Sequence, residues 1–274
     1  MDTTLPSKLN FLTPLETKMI RVGPLGDCGY VLPEAATSNI SYLYSIGIST
    51  NWEFESAIAG MNKGLQIRAF DRTSGSLVFL YIAIRDLFRG DPTLVNEDIW
   101  GRVNRSLKYL AMSIRFRIFF SFGRRFRRQW VRSVSKSSDE VAFVDSMKSI
   151  PDYGNLLIKI DIEGGEYDLA NDLIEEIERR KNQIACIVME LHDTEMRRSE
   201  FSKLVMDIQK YLPIVHIHGN NCAPIAADGL PTVVEITFAR KDFVPAQRVL
   251  EFPRIGLDYP NDGSLPECEF SFSL

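Results

Sequence analysis

In the middle of the chain, a short apolar run leads directly into a group of carboxylates and glycines. The run predicts a strand over Leu156–Ile162, and Asp161, Glu163 and Glu166 lie around the pair Gly164-Gly165. Parallel strands buried on both faces read as continuous apolar runs, and ligands gather at their carboxyl ends. We therefore interpret Asp161 as a site residue. Glu163 and Glu166 have a second interpretation, in which they only complement the dipole of a following helix.

Another candidate site follows the first predicted strand, Ile40–Ile48. Its turn carries one glycine, Gly47, and so lacks the G-x-G-x-x-G pattern that lets a backbone approach a pyrophosphate. Asp71 ends the second predicted strand, Leu65–Asp71, 24 residues after Gly47. An acid at such a position accepts hydrogen bonds from a ribose diol in nucleotide-binding folds. A ligand with a ribose and no phosphate fits both observations, and S-adenosylmethionine is the commonest such ligand.

The elements that position these residues alternate between strands and helices. A helix predicted over Trp52–Met61 joins the first two strands into a βαβ unit, whose crossover implies parallel pairing. The last strand follows its predecessor after only a loop containing Gly229-Leu230-Pro231, so we expect it to be antiparallel. The later predicted elements are the helices Tyr167–Arg180 and Arg198–Leu212 and the strands Ile184–Leu191, Ile214–His218 and Thr232–Ala239.

The segment between the second and third predicted strands is different. Apolar residues at spacings of three and four predict helix from Leu77 to about Trp130, interrupted at Gly90-Asp91-Pro92, and a short helix follows over Val141–Met147. The 274 residues suffice for one α/β domain. We predict a single domain over residues 1–274, with a basic helical insertion at about 75–138 and an irregular tail at about 245–274.

Charge sets this insertion apart from the rest of the chain. Between Ile99 and Ser138 there is no Asp or Glu, but there are nine Arg and two Lys. The remainder of the chain therefore holds 21 of the 32 basic residues against all 36 acidic ones. A basic element is inserted into an acidic body.

Composition restricts the class of protein. The fractions of hydrophobic and charged residues, 45% and 25%, are those of a soluble globular protein. The four cysteines lie far apart without C-x-x-C spacing, which argues against a zinc ribbon and a disulfide scaffold and predicts free thiols. The chain begins with no apolar signal segment and contains no uncharged apolar run of membrane-spanning length, so we expect a cytoplasmic protein.

Several short motifs together resemble the FkbM-type methyltransferase family. The match spans about Arg21–Ala239, and its most specific part is Lys159–Glu166; Cys28, where a glycine is typical, and the basic insertion depart from the pattern. The resemblance implies a class I, Rossmann-like fold with a mostly parallel seven-stranded sheet, whose antiparallel last strand lies between strands five and six. The motifs are Gly26–Val31, Tyr44–Gly47, Phe54-Glu55, Phe70-Asp71, Lys159–Glu166, Met189–His192 and His216–Asn221.

The implied reaction is transfer of a methyl group from S-adenosylmethionine to a hydroxyl group of a sugar, glycan or natural product. Because strands four and five are adjacent in that fold, Asp161 should meet Glu190 and His192 at one rim. Methyl transfer needs a positioned acceptor that loses a proton. Either His192 acts as the base, which we favour, or Asp161, Glu190 and His192 hold Mg²⁺ or Mn²⁺. His218 is a further catalytic candidate, although its loop would have to fold back; His216 is expected to be a buried structural histidine.

The resemblance also assigns residues to the cofactor. Glu55 would hold the methionine ammonium group, unless it only complements the dipole of its helix. The other cofactor candidates are Asp27, Gly29 and Tyr30 before the first strand, Gly47 and Ile48 after it, and Asp71 and Arg72 after the second.

Three of these residues have a structural interpretation beside the functional one. Glu190 could form a salt bridge with Lys159 on the neighbouring strand. His192 could cap a loop, and Asp27 could shape its glycine-rich turn.

The basic segment 102–132 has three interpretations. Its arginines and phenylalanines suit an anionic membrane interface, the phosphates of RNA, or a solvated face that pairs with an acidic body across a homo-oligomer interface. The first would make the protein peripheral at the membrane. Two alternative functions follow, a non-catalytic membrane- or partner-binding adaptor that retains the fold and an RNA methyltransferase, although nucleic acid is the less favoured partner.

Overall fold

A computed structural model describes residues 3–89, 98–244 and 247–273 of the chain. Seven strands form a central sheet: β1 (Ile40–Ile46), β2 (Gln66–Phe70), β3 (Arg124–Arg127), β4 (Asn155–Ile160), β5 (Ile184–Leu191), β6 (Ile214–Gly219) and β7 (Val234–Ala239). Their spatial order is β6-β7-β5-β4-β1-β2-β3. All neighbours are parallel except β7, which is antiparallel to both β5 and β6.

This topology confirms the predicted α/β fold, including the antiparallel last strand between the fifth and sixth. The bounds of β5 are those predicted, because all eight of its residues are buried and its apolar run therefore marks the whole strand. Side chains of β4 alternate between two cores, as the pleat of a strand requires. Leu156 and Ile158 lie in one buried cluster, and Leu157 lies in the other.

Helices cover both faces of the sheet. The first cluster contains Phe143, Leu173 and Phe201, and the second contains Phe54 and Phe79. The α-helices are α1 (Glu34–Thr37), α2 (Glu53–Met61), α3 (Ser76–Arg89), α4 (Ile99–Phe119), α5 (Phe143–Met147), α6 (Ala170–Arg180) and α7 (Arg198–Gln209), with 3₁₀ turns at Ser7–Leu12, Tyr167–Leu169 and Lys241–Phe243.

The basic insertion is helical only in part, so the prediction of helix to about Trp130 is wrong. Helix α4 ends at Phe119, and Arg124–Arg127 forms β3, the edge strand beside β2. Its arginines suit an edge strand, which charged side chains protect from further pairing. Phe126 of β3 packs on Phe116 of α4, with 4.8 Å between ring centroids. The predicted break at Gly90-Asp91-Pro92 lies outside the described residues.

The tail is less irregular than predicted. Glu251–Phe252 and Phe270–Phe272 form a small sheet with Thr3–Leu5, and Phe252, Phe270 and Phe272 are buried in the first core cluster. Two further strand pairs are Met19–Val22 with Tyr30–Pro33, and Trp130–Arg132 with Glu140–Ala142. The strand Glu140–Ala142 includes the first two residues of the helix predicted over Val141–Met147. The observed helix α5 therefore begins at Phe143.

All four cysteines lie among the described residues and are free thiols, as predicted. Of the helices in the described ranges, none combines the length and the apolar character needed to cross a membrane.

Candidate functional site

The carboxyl ends of β1, β2 and β4 meet at one rim of the sheet, at Gly47, Asp71 and Asp161. Gly47 has φ +81°, and a Cβ built on it would lie 2.6 Å from the carbonyl carbon of Asp161 and closer still to its oxygen. The Asp161 N–H donates to the carbonyl oxygen of Ile46 at 3.0 Å. Only glycine therefore allows the ends of β1 and β4 to approach this closely.

A cleft of about 490 Å³ opens at this rim. Gly47, Asp71 and Asp161 line it, together with the Gly164-Gly165 loop. Another part of the wall is the segment 129–132, which follows β3 and was not predicted to be near the site. Its position follows from the parallel pairing of β3 with β2, because both strands then end at the same rim.

Asp71 shapes the loops of this cleft. Its Oδ2 accepts hydrogen bonds from the N–H groups of Ile48 and Ser49, at 2.8 and 2.6 Å. Its Oδ1 accepts three more, from the N–H and hydroxyl of Thr73 and the N–H of Ser74. Burial raises the pKa of the carboxyl, but these hydrogen bonds outweigh burial and hold the pKa below its usual value. The acid predicted to accept from a ribose thus accepts five hydrogen bonds from its own chain.

Glu55 and Lys159 lie buried behind the same rim. The hydroxyl of Ser45 donates to Glu55 Oε1 at 2.6 Å, whereas the buried Oε2 has no hydrogen-bond partner among the described residues. Lys159 Nζ donates to the carbonyl oxygen of Gly47 and lies 3.5 Å from Asp161 Oδ2. Burial by itself lowers the pKa of Lys159, but the carboxylates of Asp161 and Glu55 raise it above its usual value.

Asp161, Glu190 and His192 come together as the resemblance implied. One possible ligand atom from each lies within 4.8 Å of the others. Glu190 Oε1 accepts a hydrogen bond from Asn220 at 2.9 Å, and the hydroxyl of Tyr30 donates to Asp161 Oδ2 at 3.3 Å. Lys159 is paired with Asp161, so the salt bridge considered for Lys159 and Glu190 is not the observed contact.

His192 is held by the loop that follows β4. Its Nδ1 lies 3.1 Å from Oε1 of the fully buried Glu166, and its Nε2 lies 3.4 Å from Oε2 of the exposed Glu163. The same Glu166 oxygen accepts from the N–H groups of Ile162 and Gly164. Glu166 therefore orients the imidazole, a role beyond the helix-dipole interpretation.

The pKa values of Glu190 and His192 both lie above the usual values of these side chains. Burial, followed by the neighbouring carboxylates of Asp161 and Glu235, raises the pKa of Glu190 to about 8. Burial lowers the pKa of His192, but Glu166, Glu190 and Glu163 outweigh burial and raise it to about 9. The raised pKa favours the protonated form of the His192 ring, and a protonated ring cannot act as the base.

His218 does not join this group, contrary to its assignment as a catalytic candidate. Strand β7 lies between β6 and β5, so Glu235 stands opposite His218 on one side and opposite Glu190 on the other. The buried ring of His218 places Nδ1 3.5 Å from Glu235 and Nε2 3.2 Å from Glu267. His216 is buried and lies 2.9 Å from Asp258, in agreement with the predicted structural histidine.

This placement predicts a pH-dependent stability. Burial lowers the pKa of His218, but Glu235, Glu267 and Asp258 outweigh it and raise the pKa from 6.5 to about 10. The raised pKa stabilises the fold fully below pH 6.5, and this contribution is lost as the pH rises toward 10. We expect His218→Gln to cost about 3 kcal/mol at pH 6 and clearly less at pH 9.5, measured by urea unfolding of both proteins. A cost that does not change with pH would contradict the charged state of His218.

The cofactor candidates Asp27, Gly29 and Arg72 are not among the residues that line the cleft. The turn leaves no room for a side chain at Gly29, because a Cβ there would collide with the carbonyl oxygen of Pro24. Cys28, where a glycine is typical of the resembled family, has φ 63°, a backbone that favours glycine. Asp27 is exposed. Arg72 pairs with Asp139 at 2.8 Å.

The chain matches no family model, and no curated protein matches it in sequence. Solved structures similar to it include several that are described as methyltransferases. A fibrillarin pre-rRNA processing protein of Methanococcus jannaschii has 11% identity and a TM-score of 0.39, over 75% of this chain and 69% of that one. An S-adenosylmethionine-dependent methyltransferase of Clostridium acetobutylicum has 8% identity and a TM-score of 0.36, over 75% and 87%. A precorrin-6y C5,15-methyltransferase of Geobacter metallireducens has 13% identity and a TM-score of 0.34, over 74% and 81%.

Proposed function

We propose that this chain is an S-adenosylmethionine-dependent methyltransferase of the FkbM type that methylates a hydroxyl group of a sugar, glycan or natural product. One observation carries the proposal. Asp161 lines the cleft at the ends of the parallel strands and also belongs to the group with Glu190 and His192. A ligand in the cleft and an acceptor at this group would therefore share a wall, which methyl transfer between them requires.

S-adenosylmethionine, when bound, supplies a methyl group on an electrophilic sulfonium. Gly47 has no side chain that could extend into the cleft. Asp71 accepts hydrogen bonds from the loops that follow β1 and β2 and so holds both loops in place. The buried Oε2 of Glu55 lacks a hydrogen-bond donor among the described residues, and such an atom is costly unless a ligand supplies one. These features support Glu55 as the acceptor for the ammonium group of the cofactor.

The proposal includes a divalent cation on the acceptor side. Asp161, Glu190 and His192 would hold it, and two carboxylates with one imidazole suit Mg²⁺ or Mn²⁺. Glu166 at Nδ1 of His192 leaves Nε2 as the nitrogen for an ion, in the manner of the carboxylates that orient metal-bound histidines. A bound cation lowers the pKa of a coordinated hydroxyl, so the acceptor could lose its proton without a free histidine base.

Titration calorimetry of the whole chain with S-adenosylhomocysteine tests the cofactor side. We expect binding at one site, and we expect Glu55→Gln to weaken it about 30-fold or more, because a buried charge pair loses one partner. Glu53→Gln is the matched control, since Glu53 lies in the same first helical turn but is exposed. It should bind as the wild type does. No binding by the folded wild-type chain would exclude the proposed function.

A further inference from the structure

Helices α3 and α4 form an antiparallel hairpin whose base packs on the body of the protein. The hydroxyls of Ser113 and Ser106 donate to the carbonyl oxygens of Ser76 and Ala83, both at 2.7 Å, which fixes the antiparallel register. Phe79 and Phe116 are buried at the base, and Phe116 lies 5.1 Å from the ring of Trp52. A short segment of chain connects the hairpin to the cleft, because α3 begins three residues after Thr73, and Thr73 lines the cleft.

Each helix of the hairpin also carries an exposed apolar stripe. On α4 the stripe follows helical spacing and consists of Trp100, Leu107, Leu110, Ile114 and Ile118, of which Trp100 is 71% exposed. On α3 it consists of Leu77, Tyr81, Ile84 and Phe88. Helices of globular proteins normally bury such a stripe against another element, and large exposed apolar surface marks an interaction site.

These stripes are not the residues that the sequence suggested for a membrane interface. The phenylalanines of the basic segment mostly face inward: Phe116, Phe120 and Phe126 pack on one another at 4.5 to 5.4 Å between centroids. Phe122 is the exception and is fully exposed in the loop after α4; the exposed apolar residues of the two helices are aliphatic side chains of α4 together with Trp100 and the stripe of α3.

The charged side chains of α4 indicate what kind of partner the apolar stripe would bind. Helix α4 exposes Lys108, Arg115 and Arg117 and carries no acidic residue. The nearby Asp86 of α3 is fully buried and paired with Arg105 at 2.7 Å, so it presents no charge to a partner. A second copy of the hairpin would bring like charges together, and RNA phosphates would leave the aliphatic stripe in water. An anionic bilayer satisfies both the charge and the apolar surface.

We propose that the α3–α4 hairpin docks on the surface of an anionic lipid bilayer. The apolar stripes would enter the boundary between headgroups and acyl chains while the basic side chains meet acidic headgroups, as amphipathic interfacial helices do. This inference is independent of the proposed methyl transfer.

Vesicle co-sedimentation of the whole chain tests the inference. We expect binding to vesicles of phosphatidylcholine with phosphatidylserine, weaker binding to phosphatidylcholine alone, and a loss of affinity as salt is raised. Trp100 fluorescence should shift to the blue on binding, and Trp100→Phe should remove most of this shift. No binding to the anionic vesicles, or an unchanged Trp100 spectrum on binding, would overturn the proposal.

Two double variants separate the contributions. Leu107→Ser with Ile114→Ser should weaken binding about ten-fold or more, and Lys108→Gln with Arg117→Gln about five-fold for each charge. The matched controls are Met196→Ser with Ile255→Ser and Lys63→Gln with Lys241→Gln, which change exposed residues outside the hairpin. Circular dichroism should show unchanged thermal unfolding in all four. Equal loss in variants and controls, self-association through the hairpin without lipid, or tight RNA binding in place of lipid would each overturn the proposal.

Discussion

Gly47→Ala is expected to abolish binding of S-adenosylhomocysteine and to destabilise the fold by about 4 kcal/mol. Two effects add. A residue with a Cβ at φ +81° costs about 1 kcal/mol relative to glycine. The new methyl group would also overlap the carbonyl group of Asp161, which belongs to backbone and cannot rotate away. The ends of β1 and β4 must therefore separate, and the wall of the cleft separates with them.

Gly64→Ala isolates the first effect, the cost of a side chain at positive φ. Gly64 has φ +82°, almost the value of Gly47, but a Cβ there would meet no atom within 4 Å. We expect this variant to lose only about 1 kcal/mol and to bind S-adenosylhomocysteine normally. The measurements are urea unfolding and titration calorimetry of both variants. Equal destabilisation of the two would contradict the close approach of β1 and β4.

The buried strands of this fold could be predicted because their environment leaves one pattern in the sequence. Strand β5 is buried throughout, so its apolar run coincides with the strand. The short connection before β7 also determined its antiparallel direction. Edge elements carry no such pattern. Arg124–Arg127 of β3 has one inward phenylalanine among arginines, which suits a helix as well as a strand.

The candidate site likewise contains some contacts that the sequence could predict and others that it could not. Asp161, Glu190 and His192 were predicted to meet because adjacent parallel strands end at the same rim, and they do. The orienting contact of Glu166 with His192 depends on how two loops pack, which no local pattern reveals. The place of Trp130 at the cleft depended on recognising β3 as a strand. His218 lies apart from this group because β7 separates its strand from β5, as the predicted strand order required, and its loop does not fold back to close the gap.

Glu190→Gln is expected to reduce affinity for Mn²⁺ more than about 100-fold and to leave binding of S-adenosylhomocysteine unchanged. Glutamine keeps the volume of the side chain and its hydrogen bond with Asn220, but it removes one of the two carboxylates in the group. Glu190 is not part of the cleft wall, so the cofactor side should not respond. Titration calorimetry with Mn²⁺ and, separately, with S-adenosylhomocysteine measures both sites on one protein.

Two further variants distinguish a cation site from a general effect of negative charge. Glu166→Gln should weaken Mn²⁺ binding about ten- to 100-fold, because Glu166 orients His192 without belonging to the group. Glu163→Gln should change Mn²⁺ binding little, since that carboxylate is exposed and only approaches the ring of His192.

If the wild-type chain binds S-adenosylhomocysteine but not Mn²⁺, the cation is excluded while the cofactor site stands. His192 would then have to lose its proton to act as the base, and activity should rise with pH toward 9.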